Sequence, residues 1–139
     1  MIISVPHSGT RTLAEVLGAK RFYHFHHDIE IKGVIHVPVR EPLDHAVSWV
    51  CYEGHLEHSG CFFRQFDRMY ELRDRAIFYR MEDYPRLKGF GPKKPIRQLL
   101  KDKDYEGLRR EIPEFFEWIE VPHVRDFYSK YYELEYAKN

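Results

Sequence analysis

Cysteine is scarce in this chain: Cys51 and Cys61 are the two among 139 residues. That is too few for a disulfide framework and fits a reducing compartment. Long apolar runs are missing, and without about 18 consecutive apolar residues no segment reads as a membrane-crossing helix. Neither sign of charge prevails, since 22 Lys and Arg balance 22 Asp and Glu. A global field for nucleic acid or an acidic membrane is thereby excluded, and any anion site must be local. Met1 leads straight into "IISV" with no basic leader or cleavage site, so the expected compartment is the cytoplasm. Internal repeats and low-complexity tracts are absent, and residues 1–139 are expected to form one domain.

What the chain has is aromatic bulk, with 10 Tyr, 10 Phe and 2 Trp to fill a core. "MIISVP" reads as a short buried strand. Leu13, Val16 and Leu17 then recur at helical spacing over Thr10–Leu17, with Gly18 as the stop. "RFYHFHH" (21–27) and "GVIHVPV" (33–39) read as further strands. Pro42 suits the first turn of a helix whose apolar stripe is Ala46, Val47, Val50 and Cys51. Phe62–Arg73 reads as helix and "AIFYRM" (76–81) as strand. "KGFGPKKP" (88–95) is the obvious loop. After it, short helices are expected over Pro95–Lys101, Tyr105–Arg110, Pro113–Ile119 and Pro122–Glu135. Strands and helices alternating through residue 85 imply an α/β fold, a parallel sheet covered by helices, with a helical C-terminal third.

Two stretches carry chemistry. "PHSGTRT" (6–12) hands a strand over to a helix, whose first N–H groups are unpaired and carry a partial positive charge. Gly9 allows close approach, and Ser8, Thr10, Thr12 and Arg11 add donors, a composition suited to an anion or to a simple helix cap. It is not the Walker pattern G-x-x-x-x-G-K-[ST]. "REPLDHAVS" (40–48) begins at a strand end with Arg40, whose forked guanidinium matches phosphate, and reaches Ser48 inside the next helix. Arg40 equally suits an ion pair with Glu41 or Asp44, and Ser48 a small packed position.

In this order and spacing the two stretches resemble the sulfotransferases that use 3′-phosphoadenosine 5′-phosphosulfate (PAPS). Pro6-His7-Ser8-Gly9-Thr10-Arg11 is similar to their 5′-phosphosulfate loop, Pro-[Lys/Arg]-Ser-Gly-Thr-Thr. Arg40-Glu41-Pro42-Leu43-Asp44 … Ser48 matches their 3′-phosphate signature, Arg-x-Pro-x-Asp-x-x-x-Ser. Arg11 in the second Thr position resembles the branch that acts on polysaccharides such as heparan sulfate. "YRMEDYP" (79–85) is a weaker likeness to the family's strand ending in Tyr-Glu-Asp-Leu.

The resemblance implies a three-layer, P-loop-like fold and direct transfer of a sulfuryl group to a hydroxyl or amine acceptor, without metal, nucleic acid or membrane. Ser8, Gly9, Thr10, Arg11 and Thr12 would hold the 5′ end of PAPS, and Arg40 and Ser48 the 3′-phosphate that remains in the product PAP. His7 stands where the family has Lys or Arg, and with Arg11 would stabilise the leaving group. The general base falls on His26 in "FYHFHHD" (22–28), with His24, His27, Glu30 and Glu53 as alternatives. Trp49, Tyr52 or a C-terminal Tyr would stack on adenine, because Thr12 replaces the Trp of some branches. The chain is about half a usual family domain, and the shortfall lies largely between the two signatures.

Three other readings stay open. A non-catalytic protein retaining both phosphate grips fits the shortened middle. A small P-loop kinase fits less well, lacking the Walker Lys and an obvious magnesium-binding Asp after a strand. Cys51, His55, His58 and Cys61 are zinc-type ligands, but their spacing matches no standard module, and Cys51 also lies on an apolar stripe.

Overall fold

The computed structural model describes residues 1–53, 59–85 and 95–137. They fall into two compact units, the first of residues 1–40 and 60–89, the second of residues 41–59 and 90–139.

The first unit is built on short parallel strands. β1 (Ile3–Ser4) pairs with β2 (Tyr23–His24), and β3 (Ile35–Val39) pairs with β4 (Ala76–Arg80), both in parallel. A single parallel bridge, Ile2 with His36, links β1 to β3, where His36 N–H donates to the Met1 carbonyl at 2.8 Å. Strand geometry explains why that link stops. Successive residues turn their hydrogen-bonding groups to opposite sides. With His36 facing β1, the next residue to face it is Pro38, which has no N–H to give. The β3–β4 ladder is untouched and runs from Ile35 with Ala76 to Val39 with Arg80.

α1 (Thr10–Val16) is closed by Gly18, whose φ of 65° is the left-handed stop expected of it. Leu13 and Ala14 pack with Ile2 and Met81, flanked by Tyr79 and Tyr84. α3 (Ser59–Glu71) buries Phe62, Phe66 and Met69 at helical spacing, with Gln65 on the same stripe. The strand expected over 21–27 is confined to Tyr23 and His24. Beyond it the carbonyls of Phe25, His27 and Ile29 accept from Arg68 of α3 rather than from a neighbouring strand.

The second unit is helical. α2 (Pro42–Glu53), α4 (Pro95–Lys101), α6 (Pro113–Glu120) and α7 (Pro122–Ser129) each start on a proline, and α5 (Tyr105–Glu111) starts after Asp104, whose carboxylate accepts from Gly107 N–H at 2.9 Å. α2 packs on α4 and α6, and α4 to α7 pack each on the next. Of the expected apolar stripe of α2, Ala46, Val47 and Cys51 are buried and Val50 is half-buried, while Leu43, His45, Ser48 and Trp49 are buried too. Glu41 caps α2, its carboxylate accepting from the N–H groups of Leu43 at 3.2 Å and Asp44 at 2.8 Å, and the Tyr136 hydroxyl donates to it as well. Arg109 donates to the Tyr136 carbonyl at 2.7 Å, so the tail is tied down rather than continuing as the helix expected to Glu135.

The architecture is thus a mixed α/β fold with small parallel pairs and a helical C-terminal portion. Residues 88–94 of the expected loop lie outside the described residues.

Candidate functional site

Because β1, β2 and β3 run parallel, their carboxyl ends share one edge of the first unit. Four pieces of chain arrive there: Val5–Gly9 after β1, His24–Ile31 at the end of β2, Arg40 after β3 and Met81 after β4.

The first piece is held tightly. His7 (φ 68°) and Gly9 (φ 104°) both have left-handed backbone. Gly9 is needed twice over, since a Cβ there would also stand 3.0 Å from Met81 Cγ. Ser8 Oγ donates to the Val5 carbonyl at 2.7 Å, and Thr10 Oγ1 shares a 2.6 Å hydrogen bond with Ser4 Oγ. These hydroxyls are buried and fix the loop from inside, while Arg11 is exposed and Thr12 half-buried.

Arg40 joins the two sequence stretches. Its Nη1 donates to the His7 carbonyl at 2.9 Å, across 33 positions of sequence. The guanidinium is therefore carried to the loop that begins at Pro6.

No family model, curated protein or solved structure matches this chain.

Beside that loop lies a cluster of imidazoles. The rings of His24 and His26 stack with centroids 5.7 Å apart, and those of His26 and His27 are 4.4 Å apart. His24 Nδ1 is 3.2 Å from Ser4 Oγ, so the cluster connects through Ser4 to Thr10. Burial, with His26 and His27 beside it, pushes His24 down to about 4, and His7 adds to the same effect. At neutral pH His24 is thus an uncharged hydrogen-bonding group. His26 is exposed and His27 half-buried. Glu30 is exposed and ion-paired with Lys32 at 3.5 Å.

Two residues that hold this edge in place were not legible in the sequence. Arg68 donates to the carbonyls of Phe25 (2.5 Å), His27 (3.2 Å) and Ile29 (3.4 Å), and Gln65 accepts from His26 N–H at 3.1 Å. Both are about 40 positions away in sequence, beyond any local pattern. The available signal was Gln65 itself, an amide three residues after Phe62 on a stripe otherwise apolar.

Ser48 lies in α2 of the second unit and is buried. Trp49 is buried and Tyr52 exposed. His55, His58 and the side chain of Glu53 lie outside the described residues; among the described residues no group of three His, Cys, Asp or Glu is arranged to hold a metal ion. Cys51 and Cys61 are free thiols. No described helix is long and apolar enough to cross a membrane.

Proposed function

We propose that the chain is a minimal PAPS-dependent sulfotransferase with a three-layer, P-loop-like fold. The observation that carries the reading is the Arg40–His7 hydrogen bond. Two stretches selected by sequence for opposite ends of one nucleotide meet in space, although nothing local requires it. The bridge between Ile2 and His36 adds support, because ligands of open parallel sheets bind outside the carboxyl ends of the strands, where neighbouring connections diverge.

In the proposed reaction an acceptor hydroxyl or amine attacks sulfur in line with the leaving phosphate. The new bond to sulfur forms as the bond from sulfur to the bridging oxygen breaks, and PAP departs. Ser8 through Thr12 hold the 5′ end, chiefly by backbone N–H groups, since the hydroxyls of Ser8 and Thr10 are engaged internally. His7, as imidazolium, and Arg11 meet the charge on the leaving phosphate; His26 takes the acceptor's proton. Arg40 grips the 3′-phosphate, and the sequence signature assigns Ser48 to it as well.

The test is calorimetric titration of PAP and of adenosine 5′-phosphate, without metal, against wild type, Arg40→Ala and Ser48→Ala. A charge-assisted Arg–phosphate contact is worth about 1.5–3 kcal/mol and a Ser contact roughly 0.5–1.5. PAP should therefore weaken about ten-fold or more in Arg40→Ala and less in Ser48→Ala, with adenosine 5′-phosphate weak throughout. Equal losses for both nucleotides would reduce Arg40 and Ser48 to supports of the fold. Binding of ATP with magnesium in place of PAP would favour the kinase, and PAP binding without transfer to any acceptor the non-catalytic protein.

A further inference from the structure

His26 and His27 are neighbours in sequence with rings 4.4 Å apart, yet their ring nitrogens face opposite kinds of partner. Backbone N–H groups can only donate. His26 N–H points at the side-chain amide of Gln65 at 3.1 Å, so the amide atom there is the oxygen. The other end agrees, with Gln65 Nε2 donating to Cys61 Sγ at 3.4 Å. The same oxygen lies 3.4 Å from His26 Nδ1, and an oxygen lone pair facing a bare nitrogen lone pair would repel it. Nδ1 of neutral His26 therefore carries the proton.

The opposite holds next door. His24 N–H donates to His27 Nδ1 at 3.1 Å, so Nδ1 of His27 is bare and its proton sits on Nε2. Gln65 is buried, and among the described residues it is the one hydrogen-bonding partner of the His26 side chain.

We propose that Gln65 is a positioning residue that locks His26 as the Nδ1–H tautomer, leaving Nε2 as an unprotonated base toward solvent, while the backbone locks His27 as the complementary Nε2–H donor. The tautomers follow from geometry alone; the consequence that His26 Nε2 receives the acceptor's proton rests on the sulfotransferase reading. An exposed imidazole on a loop otherwise samples both tautomers, and only one presents its lone pair outward.

Two-bond ¹⁵N–¹H correlation spectra of the labelled full chain, at alkaline pH where imidazoles are neutral, read the tautomers directly. Wild type should show His26 protonated at Nδ1 and His27 at Nε2. Gln65→Glu keeps an oxygen acceptor and should keep both patterns. Gln65→Met keeps the volume without an acceptor and should turn His26 toward Nε2–H with His27 unmoved. His26 protonated at Nε2 in wild type, or unchanged in Gln65→Met, overturns the proposal; the wild-type spectrum decides alone if the variant does not fold. Titration of PAP into the same sample separates the two ideas. Failure to bind PAP with the tautomers as stated removes the sulfotransferase reading and leaves the Gln65–His26 assignment standing.

Discussion

The two units of this chain use buried polarity differently. In the first, guanidinium and amide groups reach across about 40 residues of sequence to loop backbone: Arg68 to the carbonyls of Phe25, His27 and Ile29, Arg75 to that of Ile31 at 2.5 Å, and Gln65 to His26 N–H. In the second, the main polar investment is a tail lock, with Tyr136 on the Glu41 carboxylate and Arg109 on the Tyr136 carbonyl. Around it stands apolar packing by Leu108, Ile112, Phe115, Phe127 and their neighbours, with His45 and Ser48 buried in α2. The difference teaches that irregular segments lack a ladder of their own, so side chains take its place.

Three substitutions and one pH series sharpen that contrast. The largest effect belongs to Arg68→Met, which strips a cation from the carbonyls it serves. Charged hydrogen bonds contribute about 1.5–3 kcal/mol, so a loss near 3 kcal/mol is expected in urea unfolding, with faster amide exchange confined to residues 25–31. Exchange rising equally in α5–α7 would break the contrast. Next comes Gly9→Ala, which combines left-handed strain of about 1–2 kcal/mol with crowding against Met81. In a Met81→Ala background only the crowding part should vanish, and full recovery would deny the strain.

Tyr136→Phe in the second unit should cost less, about 1–2 kcal/mol, because one hydroxyl is lost while the Glu41 carboxylate keeps its two backbone donors. Its unfolding midpoint, compared with that of Arg68→Met, checks the order.

The smallest effect separates the units by the sign of a pH slope. His24 is held below its ordinary value, so the folded state resists a proton that the unfolded chain accepts. Its contribution is intact above pH 6.5 and is lost as pH falls toward 4. For a half-exposed ring this is expected to reach about 1 kcal/mol once screening is taken in. Glu41 is raised by burial, against the hydrogen bonds that favour its charge, so its contribution declines as pH rises through its folded titration. His24→Gln should flatten the first slope and Glu41→Gln the second, read from stability against pH. Slopes of the same sign would show that these groups do not govern their units.

How much of this was legible follows from where each signal lives. The helices beginning at Pro42, Pro95, Pro113 and Pro122 were readable because proline at a first helical position acts within its own turn. The stop at Gly18 was readable for the same reason. The strand expected over 21–27 ended early because Arg68, far along the chain, claims its carbonyls. The last helix ended at Ser129 because the Tyr136 region is tied to Glu41 and Arg109 instead. At the candidate site, the sequence singled out Arg40 and the loop from Pro6 separately, but not their meeting. Nor were the inward-turned hydroxyls of Ser8 and Thr10, since sequence names a donor without saying which way it points.

Pro38 has a mechanical consequence. By withholding one N–H from β1, it ends the backbone pairing of β1 with β3 at His36, and beyond that point the loop from Pro6 and Arg40 are joined by a side-chain hydrogen bond instead. β3 is laddered to β4 from Ile35 to Val39, while β1 meets β3 through the single bridge at His36. One guanidinium thus spans the gap where a second rung of backbone pairing would stand.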